Sequence, residues 1–303
     1  MTVESSHHAD VATGRPARGT RDLRVDKVST ALGAEISNVH LGKAARSPEL
    51  IAEIRRLLLE HKVLFFRDQD ITPAEHVQFA RCFGELETHP VFDHHPEHPE
   101  LVLLYRDDGK QATENVFHTD TSFRAIPSMG AILRCLDCPP VGGDTIFVNM
   151  VLAYERLDPF YQQLLSGLYA VHDIAQGFGA TSSRERRAQL REATPPQEHS
   201  VVRVHPETGE KILYVNQGFT THLSNFRSKV AASVGSERSI GSIALLQYLF
   251  QQPAVPEYQV RLRWRPNTVA FWDNRSTQHY AVQDYYPAVR RMQRATIIGD
   301  RPV

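Results

Sequence analysis

Phe117-His118-Thr119-Asp120-Thr121-Ser122-Phe123 puts an imidazole and a carboxylate two residues apart, and Trp272-Asp273-Asn274-Arg275-Ser276-Thr277-Gln278-His279-Tyr280 supplies a second imidazole far downstream. On an extended strand, residues i and i+2 point to the same side, so His118 and Asp120 are expected to reach one ion while Thr119 faces away. His-x-Asp followed much later by His is the ligand set of a facial triad. Two imidazoles and one carboxylate take one face of an octahedral Fe(II) and leave three positions open, which suits an iron that activates O2. In a chain with 15 histidines and 35 acidic residues, an isolated His-x-Asp reads first as a polar cluster, so the reading depends on what surrounds it.

Two further stretches supply that context. Gly142-Gly143-Asp144-Thr145 follows Pro139-Pro140 and runs into Ile146-Phe147-Val148. Paired glycines predict a tight turn entering a strand, with the Thr145 hydroxyl placed near the metal as a donor. Val289-Arg290-Arg291-Met292-Gln293-Arg294-Ala295-Thr296-Ile297-Ile298 has the pattern of a strand, so Arg290, Met292 and Arg294 share a face. Two guanidiniums on one face make an anion clamp, and arginine matches carboxylate or sulfonate oxygens in a planar, bidentate way that lysine does not. Alone, the same pair also fits a solvated basic edge strand.

Together these motifs resemble the taurine dioxygenase (TauD/TfdA) family of Fe(II)- and 2-oxoglutarate-dependent oxygenases, which includes phenoxyacetate-herbicide dioxygenases and alkylsulfatases. The resemblance runs from about Leu23 to Val303. It takes in Leu32-Gly33-Ala34-Glu35-Ile36, Val63-Leu64-Phe65-Phe66-Arg67, Phe83-Gly84-Glu85-Leu86, Val202-Arg203-Val204-His205-Pro206 and Leu213-Tyr214-Val215-Asn216, in that order. It implies that His118, Asp120 and His279 are the catalytic metal ligands. It puts Thr145, Arg290 and Arg294 on 2-oxoglutarate, with Arg290 and the Thr145 hydroxyl at the distal carboxylate. Fe(II), 2-oxoglutarate and O2 would then hydroxylate a C–H bond of a small anionic substrate, with release of succinate and CO2. Cleavage of the product would follow where the hydroxylated carbon carries a sulfonate or sulfate oxygen. Asp120 points to hydroxylation over halogenation, because related halogenases lack this carboxylate.

For the substrate, the resemblance implies that His89, Arg294 and the Thr121 amide hold an anionic head group, with Phe178 and Phe219 as aromatic walls. Phe92 stands where a hydroxyl-bearing aromatic is expected, Glu114 where an asparagine is expected, and Phe117 where a tryptophan is expected. The phenylalanines make the expected pocket more apolar and turn the reading from taurine towards a larger sulfonate, a sulfate ester or an aryloxyalkanoate-like carboxylate. An amino-acid-like or natural-product substrate, hydroxylated or desaturated, is the alternative. A zinc-type hydrolase would leave Thr145 and the arginine pair without a role, and a non-enzymatic jelly-roll binding protein would have no need of open metal positions.

The rest of the sequence bounds the setting. A chain of 303 residues, 41% hydrophobic and 23% charged, can bury a sizeable core, and a formal net charge of −1 without a basic run speaks against nucleic acid or a membrane surface as partner. Residues 1–20 have no apolar core of a secretory signal and read as a disordered tail, with 21–303 as one catalytic domain. Cys82, Cys135 and Cys138 are an odd count, which suits a reducing cytoplasm, and the Cys135-x-x-Cys138 pair reads as packing. By resemblance the chain is expected to form a homodimer or homotetramer.

The periodicities predict strands over 23–39 (a pair around Gly33), 63–66, 101–105, 129–135, 260–264, 269–272 and 290–298, and a hairpin of 200–204 with 211–215. Helices are predicted over 48–61, 72–83, 149–168 (two, broken at Asp158-Pro159) and 239–250. Many strands with flanking helices predict a mainly β fold, a double-stranded β-helix (a cupin-like jelly roll). Residues 176–199, rich in Ser, Arg, Glu and Pro, read as a mobile insert or lid.

Overall fold

A computed structural model describes residues 23–89, 91–106, 116–226, 229, 233 and 239–303. The expected tail and Glu114 lie outside the described residues. The fold is the predicted jelly roll with helices packed on its outer faces. Fifteen strands fall among the described residues. The large sheet takes β1 (Arg24–Lys27), β2 (Ala34–Ser37), β3 (Val63–Phe66), β13 (Val269–Asp273), β5 (Ser128–Asp137), β15 (Arg290–Ile298) and β4 (Leu101–Arg106), side by side in that order. A smaller sheet, β12 (Gln259–Leu262), β6 (Thr145–Asn149) and β14 (Thr277–Ala281), faces it. A third sheet sets β7 (Tyr169–His172) between β11 (Thr220–Leu223) and β8 (Gln197–Ser200), and β9 (Val202–Val204) pairs with β10 (Lys211–Leu213) as the predicted hairpin.

Strand alternation explains the layers. In β13, Val269 and Phe271 face a core shared with α2 (Pro48–His61) and α3 (Pro73–Arg81), where Phe271 meets Phe79 and Phe83 edge-on. Ala270 and Trp272 point the other way, into the sandwich, with Phe65, Ala131, Leu133, Phe147, Val260 and Met292. The same alternation sends Arg290 and Arg294, which flank Met292 at two-residue spacing, into the sandwich. The arginine strand is therefore interior: β15 is paired on both sides, to β5 and β4. Helix starts follow local chemistry. Thr72 and Glu75 form a reciprocal capping box with Pro73 in the first turn, and Ser239 accepts a hydrogen bond from the Ser242 amide to begin α8 (Ile240–Phe250).

The 176–199 stretch holds more regular structure than its composition suggested: it carries α7 (Arg184–Ala193) and the start of β8. Ser183 caps α7, the Arg191 guanidinium pairs with Asp173 at 2.7 Å, and Leu190 alone of the helix is buried. Leu190 packs with Phe123, Ile174, Ala175, Phe219 and Phe178. Among the described residues, no helix is long and apolar enough to cross a membrane.

Candidate active site

His118, Asp120 and His279 come together in the sandwich, their ligand atoms all within 4.8 Å of one another. The way they are held differs from the sequence expectation in one respect. His118 and Asp120 do not sit on a named strand. His118 makes a single antiparallel bridge to His279, each accepting the other's amide (3.0 and 2.9 Å), and the chain turns at Asp120. Thr121 then takes a φ of 54°, a left-handed conformation costly for a β-branched residue. His279 is carried by β14, opposite Phe147 of β6. Gly218 leaves room for His118, since a Cβ there would lie 2.8 Å from the Cβ of His118.

The donor set fits a divalent transition metal. The His118 Nε2 lies 3.7 Å from Asp120 Oδ1, and the His279 Nε2 lies 3.9 Å from Asp120 Oδ2. The Val116 carbonyl sits 3.0 Å from His118 Nδ1, so Nδ1 carries a proton, which in the neutral tautomer makes Nε2 the nitrogen able to bind an ion. Burial works against a charged Asp120, but Arg294, then His279 and His118, outweigh it and hold the carboxyl well below its usual range. Burial, then the neighbouring His118, pushes His279 down to about 3, which keeps it the neutral imidazole that metals require.

The two arginines occupy separate places. Arg294 Nη1 donates to Asp120 Oδ2 at 2.7 Å, and its guanidinium lies 5.7 Å from the centre of the Phe92 ring. Arg290 lies at the mouth of the Gly142-Gly143 turn. Its Nε donates to the Gly143 carbonyl at 3.2 Å, and its guanidinium sits 5.9 Å from both the Trp264 and Tyr285 rings. The predicted turn is present: Gly142 and Gly143 have φ of 86° and 69°, and a Cβ on Gly143 would press on the Arg290 side chain. Thr145 is buried, and its hydroxyl accepts from the Trp264 indole at 2.9 Å, which leaves the hydroxyl proton to be donated. Trp264 therefore links Thr145 to Arg290. Neither Trp264 nor Tyr285 was singled out by sequence, because only the fold brings them to Arg290.

Beside the triad is an aromatic cluster. His89 is buried against Phe92 (4.7 Å between ring centres) and Phe178 (5.7 Å). Phe219 bridges Phe178 (5.9 Å) and Phe123 (4.8 Å) and reaches the His118 ring at 6.2 Å. Burial, then the charge of Arg294, pushes the His89 imidazole down to about 3, so it is neutral here. The Thr121 side chain turns away to Ser128, 3.1 Å between hydroxyls. Phe117 corrects the sequence reading: it packs on Tyr280 (5.0 Å) and joins the core outside the small sheet, so it does not make the pocket more apolar.

Residues 24–296 match the family described as taurine catabolism dioxygenase TauD, TfdA. The chain belongs to this family. It is 36% identical over 291 residues to an alkylsulfatase of Acinetobacter baylyi, covering 93% of this chain and 86% of that protein. To an alpha-ketoglutarate-dependent sulfate ester dioxygenase of Pseudomonas putida it is 34% identical, covering 93% and 91%. Its fold superposes on a taurine dioxygenase from Burkholderia xenovorans with a TM-score of 0.76 at 34% identity, over 93% of this chain and 91% of that one. This family member is a 2-oxoglutarate-dependent dioxygenase, which sets aside the hydrolase and non-enzymatic readings.

Proposed function

We propose that this enzyme uses Fe(II), 2-oxoglutarate and O2 to hydroxylate a small organic anion with an apolar body, a sulfate ester or sulfonate before an aryloxyalkanoate. The observation that carries this reading is the junction of the His118/Asp120/His279 cluster with a pocket that is cationic at Arg294 and aromatic at Phe92, Phe178 and Phe219. His118, Asp120 and His279 would hold the iron, which when bound supplies the oxidising chemistry that turns the keto acid into succinate and CO2 and puts oxygen into a C–H bond. Arg290 and Thr145 would receive the distal carboxylate of 2-oxoglutarate, since an arginine edge and a free hydroxyl proton both suit a carboxylate. Arg294 would serve 2-oxoglutarate and substrate alike.

His89 and Arg294, with the Thr121 amide, would hold the substrate's anionic head while the phenylalanines orient its body and exclude water. A neutral His89 donates one hydrogen bond to an anion without the cost of burying a second cation. The stretch 176–199 would form a cover, since Leu190 packs directly on the pocket wall. The unit would comprise 21–303 and act in the cytoplasm as a homo-oligomer, with neither nucleic acid nor membrane as partner. The near-neutral net charge supports that setting.

The test is succinate release with Fe(II) and 2-oxoglutarate across a panel of alkyl sulfates, sulfonates, aryloxyalkanoates and amino acids. Alkyl sulfates or sulfonates should stimulate it most and yield an aldehyde with sulfate or sulfite. Alanine at His118, Asp120 or His279 should abolish it. Stimulation by amino acids alone would overturn the substrate reading, and near-normal turnover in any of the three variants would overturn the ligand set.

A further inference from the structure

The tripeptide Asp273-Asn274-Arg275, at the end of β13 and the start of the turn to β14, sends its side chains in opposite directions. Asp273 and Arg275 are buried and start an ionic chain that runs out to the surface: Arg275 donates to both Asp273 oxygens (2.9 and 2.8 Å) and to Glu207 (2.7 Å), and Glu207 pairs with Arg55 (2.9 Å). His205 donates from Nε2 to Asp273 at 2.9 Å, because its Nδ1 accepts the amides of Glu207 and Thr208. Asn274 faces the metal cluster and is fully buried.

Its carboxamide does what a neighbouring strand would do. The Asp120 amide donates to Asn274 Oδ1 at 3.0 Å, and Asn274 Nδ2 donates back to the Asp120 carbonyl at 2.8 Å. The same Nδ2 reaches the Ser128 hydroxyl at 2.8 Å, and that hydroxyl meets the Thr121 hydroxyl, which accepts the Ser128 amide at 2.9 Å. Asp120 needs this support because the chain leaves its bridge at His118 and reverses through left-handed Thr121. Asparagine alone among short side chains offers an acceptor and a pair of donors in one plane, the arrangement of a peptide group. Left-handed backbone at a β-branched residue persists where its surroundings over-determine it.

We propose that Asn274 is a positioning residue of the metal site, its carboxamide fixing both main-chain polar groups of Asp120 and so aiming that carboxylate between His118 and His279. The inference rests on the reading of those three residues as metal ligands. The full-length metal-free protein is titrated with Co(II), following heat by calorimetry and the visible d–d bands by absorption, and its thermal midpoint is measured without metal. Asn274→Ala should weaken Co(II) binding at least tenfold and change the d–d bands. Glu207→Gln, which loosens the ionic chain and leaves the Asn274–Asp120 bonds in place, should lower the thermal midpoint while Co(II) affinity stays within twofold and the bands stay unchanged.

Should Asn274→Ala fail to fold, Ser128→Ala decides: it removes the hydroxyl that anchors Asn274 and Thr121, and Co(II) should bind several-fold more weakly. A folded Asn274→Ala, or in its place Ser128→Ala, with wild-type Co(II) affinity and bands would overturn the proposal. So would a Glu207→Gln protein that loses as much Co(II) affinity as Asn274→Ala. Failure of the wild type to bind Co(II) would overturn the ligand set itself, and this proposal with it.

Discussion

Arg290 and Arg294 are four residues apart on one strand face, yet their surroundings differ. Arg294 is paired with Asp120 at 2.7 Å, next to His89 and Phe92. Arg290 is held between Trp264 and Tyr285, at the glycine turn that leads to Thr145. Removing one member of a buried ion pair costs roughly 3–5 kcal/mol. Arg290→Ala should therefore weaken 2-oxoglutarate binding by a factor on the order of hundreds or more, measured by quenching of intrinsic fluorescence, and leave His89 in place. His89→Ala should instead raise the substrate KM and lower the yield of hydroxylated product per succinate, because a misoriented substrate offers no C–H bond in reach. Equal loss of 2-oxoglutarate affinity in the two variants would mean that the division is wrong.

At the scale of elements, legibility followed periodicity. The amphipathic helix at Pro48–His61, the helix that starts after Thr72 and the apolar strands β3, β5, β13 and β15 carry their own signals and stand where they were expected. The strands β7, β8, β11 and β14 went unread. Tyr169-Ala170-Val171-His172, Gln197-Glu198-His199-Ser200, Thr220-Thr221-His222-Leu223 and Thr277-Gln278-His279-Tyr280-Ala281 are short and polar, and they are strands because neighbours complete their ladders. The His118/Asp120/His279 cluster and both arginines were legible as residue types at fixed spacings. The Asn274 clamp and the Trp264 link were not, because each joins residues more than a hundred positions apart.

The polar insert helix α7 shows what its composition concealed: one buried leucine against Phe123, Phe178 and Phe219. Leu190→Ala should cost about 2 kcal/mol, the low end for a buried leucine on a surface helix. It should raise the substrate KM several-fold while 2-oxoglutarate affinity stays within twofold, since neither Arg290 nor Thr145 belongs to the cluster that Leu190 packs in. Steady-state kinetics with both ligands varied would show it, and an unchanged substrate KM would remove the insert from the pocket.

Among the described residues, histidines buried in neutral form contribute to the loss of stability in acid. His76 of α3 is fully buried, and its Nε2 donates to the Ile132 carbonyl at 3.0 Å, tying the helix to β5. Burial pushes its pKa down to about 4, against 6.5 when exposed. The unfolded chain therefore binds a proton that the folded one refuses. The contribution of His76 is intact above pH 6.5 and is lost as pH falls from 6.5 towards 4, a loss of roughly 3 kcal/mol over that window. His76→Gln keeps a donor for the Ile132 carbonyl and cannot titrate. Its stability should lie within about 1 kcal/mol of wild type at pH 7 and fall less steeply between pH 6.5 and 4, as read by urea unfolding of the metal-free protein at a series of pH values. Metal-free protein is required because a bound ion would add its own proton competition at His118 and His279. Parallel stability curves for the two proteins across that window would show that His76 is not the group that titrates.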